Sequence, residues 1–125
     1  MIQFRKQNIW FNEPILEPSE QILFEIPANH TQGRRAVGGK LFATTARFLF
    51  IPNRMDSFMG GSTLEIQADQ VAKISARPPN YSLGGLFSGA FRSRLAISTE
   101  SMQEHLFVVK QLDKTIQKLG ELKLG

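Results

Sequence analysis

Apolar residues recur at every second position along most of this chain, and at every third or fourth only near its end. That change of period limits the available folds more than any other feature. Over 20–29, Ile22, Phe24, Ile26 and Ala28 alternate with Leu23, Glu25 and Pro27, the pattern of a half-buried strand. Pro27 cannot donate to a ladder, so that stretch is expected at an edge or a bulge. A second strand is expected over about 36–44, where Val37, Gly39, Leu41 and Ala43 share a face and the Gly38-Gly39 pair suggests a bulge or bend. Phe48-Leu49-Phe50-Ile51, apolar on both faces, reads as a central strand. Leu64, Ile66 and Ala68 mark a fourth strand, Val71–Ala76 a fifth, Leu95 and Ile97 a sixth, and Leu106–Val109 a seventh. The period then turns helical: Val109, Leu112, Ile116 and Leu119 lie on one face, with Lys110, Lys114 and Lys118 opposite as a solvated row. Gly120 is the expected stop.

Seven short strands followed by one helix predict a mainly β domain. A meander of this kind leaves exposed edges. A strongly bent antiparallel seven-stranded sheet or barrel, capped by the amphipathic helix, removes them. The 125 residues fit a single domain over 20–120, preceded by an N-terminal arm (1–19) and followed by a short tail (121–125). In the arm, Trp10 and Phe11 precede Pro14 and Pro18, and are expected to pack against the body.

Composition narrows the chemistry. With no Cys, disulfide scaffolds, thiolate metal sites and thiol nucleophiles are excluded. No run approaches the ~18 apolar residues of a spanning helix, and Asn12, Glu13 and Glu17 interrupt any leader-like segment. A cytoplasmic chain, able to touch a membrane surface, is the expectation. His30 and His105 have no partners at metal-ligand spacing. Gly33 to Lys40 resembles a phosphate loop only superficially: five residues separate Gly33 from Gly39, and Leu41 stands where Ser or Thr would hold magnesium. No nucleophile elbow occurs. The RNP1 pattern and a basic stripe are also missing, which disfavours nucleic acid. A non-catalytic module without cofactor or metal is expected.

The stretch Gly38-Gly39-Lys40-Leu41-Phe42-Ala43-Thr44-Thr45-Ala46-Arg47-Phe48-Leu49-Phe50 resembles the core pattern of GRAM domains, which belong to the pleckstrin-homology-like superfold. Pro18-Ser19-Glu20-Gln21-Ile22-Leu23 is similar to the family's opening, and His105–Val109 to its closing strand. Ser19, Ala43 and Thr45 depart from the usual residues. The resemblance implies that Gly39 permits a close backbone approach and that Thr44 and Arg47 fix the hairpin through hydrogen bonds. It also implies that the open end of the sheet can receive a phosphoinositide headgroup.

Two loop sets are the candidate contact surfaces. Arg34 and Arg35 in the first hairpin loop, Lys40 just beyond it and Arg54 in the 53–61 loop could form forked bonds to phosphate oxygens, although Asp56 partly cancels their field. The 81–91 loop places Leu83, Leu86, Phe87 and Phe91 among glycines, followed by Arg92 and Arg94. If exposed, it would contact a membrane or partner; folded inward, it would plug the core. Phe58, Phe87 and Phe91, three of the ten Phe, fall in predicted loops where a core does not obviously need them. The expected function is reversible docking on an anionic lipid surface. The alternative is a protein-interaction or self-assembly scaffold, a homo-oligomer included, using the 81–91 loop or an edge strand.

Overall fold

The computed structural model describes residues 10–78 and 93–122. The alternating segments form β1 (Ile22–Gln32), β2 (Arg35–Thr44), β3 (Arg47–Pro52), β4 (Leu64–Gln67), β5 (Val71–Arg77), β6 (Arg94–Thr99) and β7 (Glu104–Val109). A short helix, α1 (Arg54–Phe58), lies between β3 and β4, and α2 (Leu112–Glu121) follows β7. The strands make one antiparallel sheet in the order β4-β3-β2-β1-β7-β6-β5. The expected mainly β architecture with a C-terminal helix is therefore present, as an open sheet rather than a closed barrel.

The sheet is strongly bent. Phe50 on β3 and Phe107 on β7 are three strand spacings apart, which in a flat sheet would be roughly 14 Å. Their ring centroids stand 5.9 Å apart, so the sheet curls until β3 and β7 face each other. The enclosed space is filled by Val37, Leu41, Phe48, Phe50, Leu95, Ile97 and Phe107, with Leu119 of α2 joining the same cluster. Leu112 and Ile116 of α2 pack against it half-buried, so the helix sits over the open corner. β4 and β5 are the sheet's two edges, connected by the single 3₁₀ turn Ala68–Gln70.

Local details follow from the residues. Gly39 lets β3 approach: a Cβ there would stand 2.2 Å from the Ile51 carbonyl oxygen, so only glycine fits. Of the bulge or bend expected at Gly38-Gly39, a bulge is absent from the pairing with β1, because both residues pair in register with Asn29 and Ala28. The irregularity lies instead between Ile22 and Phe24. Pro27 falls just before β1 begins pairing with β7 at Ala28, so its missing donor costs no ladder bond on that side. Gly120 lies inside α2, which runs one residue further.

The β2–β3 turn is held by a buried polar network. Thr44 Oγ1 accepts from the backbone N–H of Ala46 (3.1 Å) and Arg47 (3.0 Å) while donating to Glu20. Arg47 grips Glu20 through two bonds of 2.8 and 3.0 Å and also reaches the Ile15 carbonyl at 2.8 Å. The Thr44 and Arg47 roles implied by the resemblance are thus structural.

Candidate functional site

Two connections meet at one end of the sheet. Between the paired residues Gln32 and Arg35 only Gly33 and Arg34 remain, a two-residue hairpin turn. Gly33 has φ +63°, the left-handed conformation such a turn needs at its first central position. Arg34 is left exposed at the tip.

The 53–62 segment is fastened onto this hairpin. Buried Asn53 caps α1 by accepting from the Asp56 N–H at 2.8 Å. The Asp56 carboxylate in turn accepts from Gly38 N–H (3.0 Å), Asn53 Nδ2 (3.2 Å) and Arg35 Nη2 (2.9 Å). Arg35 Nη1 donates to the Met59 carbonyl at 2.7 Å. Gln32 exchanges two bonds with the Ser62 backbone, at 2.7 and 2.9 Å. The arm joins here as well: Arg54 N–H donates to the Trp10 carbonyl at 3.1 Å.

This fastening leaves an apolar face outward. Phe58 is 89% exposed, and Met55, Met59 and Trp10 are exposed beside it. Trp10, Arg54, Met55 and Phe58 line a shallow depression of ≈ 500 Å³. Aromatic and Met side chains grouped in solvent, with Arg54 among them, form a surface suited to contact. A second depression of ≈ 410 Å³, between β1 and α2, is bordered by Glu25, Lys114, Lys118 and Glu121. Its mixed charges point to no ligand class.

Of the four basic candidates, the structure brings Arg54 to this face, while Arg34 is exposed at the hairpin tip. Arg35 belongs to β2 rather than to the hairpin loop, and its guanidinium is committed to Asp56 and the Met59 carbonyl. It positions α1, and two of its five donors are spent there. Lys40 lies within β2, paired with Glu25 at 3.3 Å and placed over the Phe11 ring at 4.9 Å, so it anchors the arm. Phe11 thus packs as expected, while Trp10 stays exposed. Arg54 opens a helix where a loop was expected.

Leu83, Leu86, Phe87, Phe91 and Arg92 lie outside the described residues. Arg94, expected among the contact residues, is a buried member of β6. Its Nε has no hydrogen-bond partner among the described residues. Burial pushes its pKa down, aided by Arg77 and opposed by Glu104. Such a group is poorly placed for surface docking.

His30 is buried against Phe107 and Phe50, at 4.7 and 5.3 Å between ring centroids. Burial, then the neighbouring His105, pushes it down to about 4. It is a core residue. Among the described residues no cluster of three or more His, Asp or Glu could hold a metal, and no helix is long and apolar enough to cross a membrane.

No family model and no curated protein matches the chain. One solved structure is similar: the C-terminal domain of an unknown protein from Leishmania infantum. It superposes with a TM-score of 0.60 at 16% identity, covering 80% of this chain and 81% of that one. At that identity the likeness establishes the shared fold alone.

Proposed function

We propose that this domain is a non-catalytic binding module that docks reversibly on an anionic membrane surface through the β1–β2 turn and α1. One observation carries the reading: Arg54 lines one depression with the exposed Trp10, Met55 and Phe58, on the segment fastened to the β1–β2 hairpin whose tip exposes Arg34. Arginines attract phosphate-bearing surfaces, and aromatic side chains favour the headgroup region. The GRAM-like pattern over 38–50 supports the same class of module.

Cosedimentation with vesicles tests it. The protein binds vesicles containing phosphatidylserine, binding weakens at high salt because exposed charges are screened, and purely phosphatidylcholine vesicles leave it in solution. The paired substitution Arg34→Glu and Arg54→Glu removes binding while circular dichroism is unchanged. Failure to bind anionic vesicles contradicts the proposal.

The second reading, a protein-interaction or self-assembly scaffold, is favoured by the β5 edge, which pairs only with β6 among the described strands. Lys73 and Arg77 on that strand weigh against it, since charged edges discourage strand addition. A concentration-dependent mass in light scattering, without vesicle binding, favours the scaffold.

A further inference from the structure

We infer that His30 and Gln32 form an acid-sensitive latch: a proton on His30 Nδ1 breaks the grip of Gln32 on Ser62 and releases the connection between α1 and β4 from the β1–β2 hairpin. The inference goes beyond the docking reading and does not depend on it.

Hydrogen bonding fixes the protonation state of His30. The Ser62 backbone assigns both ends of the Gln32 amide: Oε1 accepts from Ser62 N–H at 2.9 Å, and Nε2 donates to the Ser62 carbonyl at 2.7 Å. The second hydrogen of Nε2 is then directed to His30 Nδ1, 3.0 Å away. Nδ1 is therefore an acceptor, and His30 is the neutral tautomer with its hydrogen on Nε2. One side-chain amide thus joins a buried imidazole to the exposed residue that leads into β4.

A proton on Nδ1 sets donor against donor. Turning the amide over would offer Oε1 to the new N–H. It would also set Oε1 against the Ser62 carbonyl and Nε2 against the Ser62 N–H. No orientation satisfies both neighbours, so Gln32 leaves Ser62, and its half-buried position then admits water to Nδ1. The surroundings give the charge no compensation. His30 is 6% exposed, with Phe50 of β3 and Phe107 of β7 against its ring and Val37 of β2 as its strand partner. Among the described residues the titratable group acting on it is His105 of β7, 6.0 Å away between ring centroids and of the same charge type. Burial and His105 hold His30 down to about 4 from 6.5. The latch is complete above pH 6.5 and weakens as pH falls toward 4. Release is local, because Arg35 still holds Asp56 and the Met59 carbonyl, and Gly38 N–H still holds Asp56. None of those bonds passes through His30, so α1 keeps its place.

NMR on the whole chain tests the latch. Nitrogen-15 shifts of the imidazoles at pH 7 show His30 Nδ1 without a hydrogen; a protonated Nδ1 overturns the inference. Amide exchange, corrected for the intrinsic rate at each pH, reads the grip itself. Ser62 exchanges faster than the amides of β2, as local opening requires. Its protection falls roughly 10-fold between pH 7 and pH 5, within the ~20-fold that a shift from 6.5 to about 4 allows. In His30→Phe that protection no longer changes with pH. Gln32→Glu supplies a carboxylate able to accept from both Ser62 N–H and a protonated Nδ1, so it raises the His30 titration midpoint by about one pH unit or more. An unmoved midpoint overturns the latch, and this variant leaves the core intact should His30→Phe fail to fold. Ser62 protection that ignores pH, or that falls equally in His30→Phe, overturns it too. Exchange of Ser62 and β2 at one common protection makes the opening global and contradicts a local latch.

Discussion

Glu20 and Arg47 form a buried ion pair whose role is architectural. The Glu20 side chain is 1% exposed and that of Arg47 13%. The Arg47 hydrogen bonds hold the Glu20 carboxyl down at about 2 despite the opposing effect of burial. Arg47→Met strands a buried carboxylate and lowers unfolding free energy by about 3 kcal/mol. Adding Glu20→Leu recovers part of that loss, a non-additivity that urea denaturation of the two single variants and the double variant measures. Acid acts in one direction on this core. His30 is pushed from 6.5 to about 4, so below pH 6.5 the unfolded chain takes up a proton that the native core resists. Stability is complete above pH 6.5 and falls as pH drops toward 4. Burial lowers His105 in the same direction. Glu20 adds a further loss of the same sign from pH 4.5 downward. Melting temperature measured from pH 7.5 to 4.5 falls accordingly, and the fall is shallower in His30→Phe, by an amount worth about 1–2 kcal/mol. An equal slope in that variant contradicts a neutral buried His30.

At the scale of elements, the strands and α2 were legible because burial repeats with their own periods. The segment around α1 was not. A helix of five residues has too few turns to show a hydrophobic stripe, and Asp56 is its most buried residue while Met55, Phe58 and the following Met59 face out, inverting the usual pattern. Its one local signal was the Asn53-x-x-Asp56 spacing, an N-cap whose partner side chain reaches back. The basic cluster was half legible. Four cations can be counted along the sequence. That Arg35 and Lys40 are spent on Asp56 and Glu25 depends on long-range registers. Trp10 joins the patch through a backbone bond to Arg54, a contact with no trace in local pattern. Asp56 is the test of this element. Asp56→Ala frees Gly38 N–H and Arg35 and destabilises the domain by about 1–2 kcal/mol. It also accelerates amide exchange across 53–62. The variant gains net positive charge, yet its affinity for anionic vesicles falls, because the platform holding Phe58 loosens. A rise in affinity instead shows that charge alone governs binding and that α1 needs no positioning.

For the whole molecule, seven strands and one terminal helix were enough to predict a bent sheet, because no flat meander of this size covers both its apolar face and its edges. Closure was not predictable: whether β4 and β5 pair depends on the angle of the connection through 68–70, and they do not. The bend has a functional consequence. It gathers the core between β3 and β7, places α2 over the open corner, and leaves the β1–β2 turn and α1 together at one end. A rigid scaffold presenting a small exposed patch is a common division of labour between elements and loops. The most direct test of membrane docking through that end is a titration of the intact chain with phosphatidylserine-containing vesicles, followed by Trp10 emission, beside the Arg34→Glu/Arg54→Glu variant. Docking predicts a saturable blue shift in the native chain that salt reverses and the variant lacks. An emission spectrum unchanged by anionic vesicles, or a shift identical in the variant, contradicts it.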